Sequence, residues 1–213
     1  MARSLPIRII LFCIVWLLTI GVGIAMVLKY ENTSGAVGTT LGHWPSVSQI
    51  TLDPKHDTLV LFAHPKCPCT RATIGELNRI MTQCNGQLVA HVLFLQPSGF
   101  TTDWVHSGLW TTASAIPGVT VQVDPEDSIG QKFGAETSGY VLLYNPAGQL
   151  LFSGGITGSR GHAGDNAGED SIIALVNGQN SGVTHTLVYG CSLLNEPGFT
   201  QCVSNECTYS PKP

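Results

Sequence analysis

Hydrophobic positions along the chain follow three patterns. The first is one continuous run, "IILFCIVWLLTIGVGIAMVL" from Ile9 to Leu28, which carries no charge. At ~1.5 Å per residue, a helix of that length spans a hydrocarbon core of ~30 Å. The second is a set of short runs rich in β-branched residues: "TLVLFAH" (58–64), "QLVAHVLFLQ" (87–96), "VTVQVD" (119–124) and "YVLLYNPAGQLLFSGG" (140–155). They predict buried strands, the last of them a hairpin folded at Asn145-Pro146-Ala147-Gly148.

The third pattern is helical. Ile74, Leu77, Met81 and Cys84 recur at spacings of 3, 4 and 3, which makes one apolar face. Val105, Leu109, Ala113 and Ile116 predict a helix that starts near Thr102 or Asp103 and stops before Pro117-Gly118. A short acidic-capped helix is expected around 126–133. A last helix, carrying Ile172, Ile173, Leu175 and Val176, follows the glycine-rich "GITGSRGHAGDNAG", with Asp165 or Asn166 as its cap. Strands alternate with helices and end in a hairpin, so the expected class is α/β with a mixed sheet.

These patterns divide the chain into a short amino end (1–8), an anchor (9–28), a Gly/Ser/Thr-rich linker (29–50) in which Trp44 docks at the end, a domain (51–179) and a cysteine-containing tail (180–213). The apolar run is longer than that of a cleaved signal peptide and no convincing A-x-A follows it, so an uncleaved single-pass anchor is expected. Arg3 and Arg8 precede the run, while Lys29 and Glu31 cancel after it. The positive-inside bias then leaves the amino end in the cytoplasm and the domain outside, in the periplasm or its extracytoplasmic equivalent. Cys13 falls in the apolar run as filler.

Charge changes the picture only by exclusion. Charged residues make up 11% of the chain, net charge is -4, and no basic stripe occurs, so nucleic acid is not an expected partner. Export matters more, because an oxidising compartment lets the six cysteines after the anchor form disulfides. Position must decide which of them do chemistry.

The stretch "FAHPKCPCTRAT" sets Cys67 and Cys69 around Pro68 where a strand gives way to a helix. A helix amino terminus and nearby cations favour a thiolate, and Lys66, Arg71 and His64 flank the pair. Pro68 suits a first helical turn, since its missing N–H would find no helical partner. Thr70 adjoins the pair. A Cys-x-Cys disulfide closes a small, strained ring and would be readily reduced. Otherwise one of the two attacks and a distant cysteine, Cys191 in "VYGC" first among them, resolves the mixed disulfide. Cys84 lies on the apolar helical face and is expected to be inert. Cys202 and Cys207 are candidates for a structural disulfide in the tail.

A dithiol at a strand-to-helix junction, followed by this order of elements, resembles the thioredoxin-like superfamily. It is most similar to the membrane-anchored exported redoxins of the TlpA/ResA type. Within 123–155, Asp124, Gly134 and Asn145 to Gly148 fit their pattern, and "HPKCPCT" with "GGITGSRGHAGDNAG" also looks like the RedB-like redoxins. The likeness covers roughly 45–178. It implies a central mixed sheet flanked by helices, no cofactor, and thiol–disulfide exchange with exported proteins. Cys67 would be the attacking thiolate, Cys69 the resolving thiol, and Thr137, Ser138 and Gly139 the opposite wall. Two departures stand out. The family dithiol is Cys-x-x-Cys, and Gly139 occupies the place of the proline beside which a partner strand docks.

Other readings stay open on the residues. Cys67 and Cys69 are soft ligands suited to Cu(I), with His162 or His185 as a third donor. This resembles the exported Sco-like copper proteins, whose two cysteines are however separated by three residues. A zinc site from Cys67, Cys69, Cys202 and Cys207 can be drawn, as can a peroxidase site using Thr70 and Arg71, although the usual Thr-x-x-Cys order is missing. The glycine-rich loop with Arg160 could cradle an anion. A purely structural bridge would make the domain non-catalytic.

Overall fold

The computed structural model describes residues 6–46 and 48–193, and the backbone of 202–203 and 206–207. Helix α1 (Ile7–Glu31) is exposed along its length and is long and apolar enough to cross a membrane. After it come β1 (Asp57–Ala63), α2 (Cys69–Gln83), β2 (Leu88–Gln96), α3 (Thr102–Val105), α4 (Gly108–Ser114), β3 (Val119–Pro125), α5 (Gly130–Phe133), β4 (Tyr140–Tyr144), β5 (Leu150–Gly155) and α6 (Ala167–Val176).

One sheet runs in the order β3-β2-β1-β4-β5. The first three strands are parallel, β4 is antiparallel to β1, and β5 returns antiparallel to β4. This is a thioredoxin-like fold. Side chains alternate across the sheet with the period of two that a strand imposes. Leu59, Leu61 and Ala63 pack with Ile74, Leu77 and Ile80 of α2 and Ile172 of α6. Val60 and Phe62 face the other way, toward Ile129, Phe133, Tyr140 and Tyr144. Burial on both faces explains why β1 reads as an unbroken apolar run. It also places the carboxyl end of β1, and the turn beyond it, at the centre of one edge of the sheet.

The hairpin forms as the sequence predicts: Asn145 Oδ1 accepts the N–H groups of Ala147 (3.1 Å) and Gln149 (2.9 Å). Asn166, rather than Asp165, caps α6 by accepting from Gly168 and Glu169. Three other expectations need correction. The helix predicted from about residue 102 to 116 is two, α3 and α4, because His106 leaves the helical region (ψ 63°) and Ser107 is extended (ψ 174°) as the start of α4. The helix expected over 126–133 shrinks to α5. Glu126 and Asp127 form a turn with positive φ (54° and 58°), and the Asp124 carboxylate reaches past them to accept from Ile129 and Gly130 at 2.8 Å each.

The third concerns the linker and the tail, which the sequence sets apart from the domain. The linker is seated on the domain: Gly35 N–H donates to the Val188 carbonyl, Thr137 Oγ1 donates to the Ala36 carbonyl, and Thr40 Oγ1 meets the Tyr140 hydroxyl. Trp44 stands edge-on to Phe133 and Tyr144, with ring centroids 5.2 Å away in each case. The first part of the tail also packs against the domain, with Val188 and Leu193 in the core. Farther on, β6 (Cys202–Val203) and β7 (Glu206–Cys207) pair with Cys202 opposite Cys207. The expected bridge between their side chains lies outside the described residues.

Candidate thiol site

Past β1, the chain turns back on itself so that the Cys67 N–H donates to the His64 carbonyl at 3.1 Å. Pro68 is the cap of α2, already helical (φ −63°, ψ −29°), and Cys69 is the first residue of the helix proper. Thr70 N–H donates to the Cys67 carbonyl at 3.2 Å, which closes the first turn. Cys67 is 1% exposed and Cys69 7%.

What covers Cys67 is the segment around Cys191. It runs antiparallel to the loop before β4: Ser138 N–H donates to the Cys191 carbonyl, Leu193 N–H to the Glu136 carbonyl (each 2.8 Å), and Thr137 pairs with Ser192. Gly190 makes this approach feasible, since a Cβ there would lie 1.8 Å from the Ser138 carbonyl oxygen. The ends are held by buried Val188 (0% exposed) and Leu193 (5%), each worth about 1.5–3 kcal/mol of apolar burial. Arg160 Nη1 donates to the Gly190 carbonyl at 2.6 Å. So fixed, Cys191 donates its S–H to Cys67 Sγ at 2.9 Å.

That contact sets the charge at the site. Chiefly through the Cys191 S–H, and then through the N–H groups of Cys191, Thr70 and Cys69, the Cys67 thiol is pulled down to about 4 against the cost of burial. A sulfur met by several donors is the better anion, and the donor thiol must then keep its proton. The Cys191 thiol accordingly moves up, first through that hydrogen bond, then through burial and the Cys67 charge. Burial and the Cys67 charge also push Cys69 up, with Arg160 opposing them. Cys69 borders a cleft of 640 Å³ between Arg160 and the end of α1, lined on that side by Met26, Val27 and Tyr30.

The other residues singled out by sequence divide into several roles. Ser138 Oγ accepts the His64 N–H at 2.9 Å and meets Thr70 Oγ1 at 3.0 Å, latching the end of β1 to the opposite loop. His64 Nδ1 accepts the Lys66 N–H at 3.1 Å, and burial holds this imidazole below its ordinary range. The Lys66 ammonium rests 5.5 Å from the Trp104 ring centre, and Arg71 is exposed. Gly139 has positive φ (92°), and its N–H donates to the Phe62 carbonyl at 2.7 Å. Cys84 is fully buried, its thiol raised to about 11 by desolvation and then by Asp57. His162 is exposed, and among the described residues no three His, Cys, Asp or Glu side chains gather to hold a metal ion. The trio Cys67, Cys69 and His162 is therefore not assembled as a copper site.

Two features escape the sequence reading. Arg160 acts as a clamp rather than as part of an anion cradle: its N–H donates to the Glu31 carbonyl, its Nε to the Thr33 carbonyl, and its guanidinium lies 5.0 Å from the Tyr30 ring centre. A carboxyl pair, Glu76 and Glu169, is buried between α2 and α6 with Arg79 against both. Glu76 Oε1 accepts the Gly164 N–H at 2.8 Å. Desolvation, and then hydrogen bonding and charge from Glu76, raise Glu169 to about 7. The only sequence signal was Glu76 and Arg79 at i, i+3 on the apolar helix.

No protein-family model and no curated protein matches this sequence. Solved structures do match. A hypothetical protein from Sinorhizobium meliloti is 17% identical with a TM-score of 0.54, over 76% of this chain and 96% of that one. An uncharacterized conserved protein from Geobacillus kaustophilus is 15% identical with a TM-score of 0.53, over 78% and 95%. The likeness is one of fold. A secreted disulfide oxidoreductase of Mycobacterium tuberculosis matches more loosely, with 14% identity and a TM-score of 0.42 over 60% of this chain and 84% of that one. That looser match bears no weight on function.

Proposed function

We propose that this protein is a thiol–disulfide oxidoreductase of the membrane-anchored, exported kind that the TlpA/ResA and RedB-like redoxins represent. The observation that carries this is the contact between Cys67 and Cys191, sulfurs 2.9 Å apart with backbone N–H groups favouring the thiolate on Cys67. Two sulfurs so placed form a disulfide when two electrons and their protons leave, and separate when two electrons return. Exported protein thiols and disulfides are the partners, met outside a membrane that α1 spans with its amino end in the cytoplasm. Sequence gave the resolving role to Cys69 first; the geometry favours Cys191, with Cys69 held as a neutral thiol beside the pair.

The test is a titration of the full chain, in detergent, across glutathione redox buffers. Differential alkylation and peptide mass then read each cysteine. Cys67 and Cys191 should oxidise together and reversibly, in the Cys69→Ser variant as well, and Cys67→Ser should abolish the couple. A Cys67 that remains alkylatable at every potential would sink the proposal.

A further inference from the structure

We propose that Cys191, not Cys67, is the sulfur that meets the redox partner, and that Cys67 is the buried leaving group behind it. This rests on the redox reading of the Cys67–Cys191 pair and assigns its two sulfurs different tasks. Exposure is the first ground. Cys67 is 1% exposed and Cys69 7%, whereas Cys191 is partly open to solvent. Fixation is the second. The segment bearing Cys191 is pinned at both ends in the core and bonded along its length to Glu136 and Ser138, so it covers Cys67 as a built part of the fold. A thiolate must attack a disulfide along the line of the S–S bond, with the leaving sulfur on the far side. Of the two residues Cys191 is the one that solvent reaches, so an attack from outside falls on Cys191 and expels Cys67.

The exchange balances as follows. A partner thiolate attacks Cys191 Sγ of the Cys67–Cys191 disulfide; a partner–Cys191 bond forms, the Cys67–Cys191 bond breaks, and Cys67 departs as a thiolate. The donors that lower its pKa also make it a fast leaving group. A second thiolate of the partner then attacks its own sulfur in the mixed disulfide and expels Cys191, which takes up a proton. The partner dithiol has become a disulfide and two electrons have moved onto the pair. In this direction the partner's thiols are oxidised and the Cys67–Cys191 pair is reduced. The partner class is an exported protein dithiol.

The decisive experiment adds limiting reduced glutathione to the oxidised full chain, quenches in acid within seconds, alkylates, and maps adducts by peptide mass. The expected result is glutathione on Cys191 and alkylation on Cys67, in at least tenfold excess over the opposite pattern. Glutathione on Cys67 with Cys191 alkylated, or an even mixture, would overturn this assignment and leave the redox function standing. If the chain before glutathione holds no Cys67–Cys191 disulfide in any oxidising buffer, both proposals fall together.

Discussion

Cys67 with Cys191 and Glu76 with Glu169 are both pairs of acids around the first half of α2, with Cys67, Glu76 and Glu169 buried and Cys191 partly open. Yet one member of each pair is shifted in the opposite direction to the other pair's. Cys67 is drawn down to about 4, while Glu169 is driven up to about 7. Burial alone raises an acid, so burial cannot be the difference. Donors are. Cys67 sits at the start of a helix and receives a thiol and three backbone N–H groups. Glu169 has the Arg79 guanidinium nearby, but that charge is divided among Glu76, Asp165 and Glu169. The fold thus gathers a thiol and N–H groups around the Cys67 sulfur and leaves Glu169 to hold its proton.

Removing the thiol donor should have the largest effect. Gly190→Ala puts a methyl group against the Ser138 carbonyl, and backbone cannot yield there cheaply. The segment should shift, lifting Cys191 from Cys67 at a cost of about 1–3 kcal/mol. The Cys67 midpoint, followed by thiolate ultraviolet absorbance, should rise by roughly two units or more. An unmoved midpoint would mean that the N–H groups of Thr70 and Cys69 alone make the thiolate. In the parent chain the depressed value stabilises the reduced fold fully above the ordinary thiol value of 9.0, and this is lost as pH falls through about 4.

The carboxyl pair should show the reverse dependence. A raised carboxyl contributes stability that is complete below its ordinary value of 4.5 and lost as pH rises through about 7. Glu169→Gln should therefore stabilise the chain on the order of 1 kcal/mol near pH 8 and do nothing near pH 5, read from urea unfolding. An equal effect at both values would show that Glu169 is not where the proton is held. The smallest effect tests a neutral contact. Ser138→Ala strips a partner from His64 N–H and from the Thr70 hydroxyl, and should cost about 1 kcal/mol while the Cys67 midpoint stays in place. A shifted midpoint would tie the latch to the charge.

Much of the fold was legible because its signals are local. β1 and β4 are buried on both faces, β2 is so over its second half, and all three read as apolar runs, while Asn145 announces its turn within four residues. The junction around Pro68 was legible for the same reason. What lay hidden is nonlocal. Cys67 and Cys191 are 124 positions apart, and no periodicity relates them; "VYGC" marked the cysteine but not its neighbour. The glycine before it looked like any loop glycine, since its necessity arises from a carbonyl 52 positions away (190 less 138). The linker lacked periodicity because it packs through backbone carbonyls and single side chains, which leave no repeating pattern.

The clamp made by Arg160 has a consequence for reach. Between the last turn of α1 and the thiol pair there is no slack: one residue bonds the Glu31, Thr33 and Gly190 carbonyls and stacks on Tyr30. With α1 embedded in a bilayer, the domain would not sweep a hemisphere on a leash. It would stand like a lamp on a fixed bracket, its sulfurs at one height and facing one way. Partners would be sorted by where they hold their cysteines above the lipid surface, before any chemistry distinguishes them.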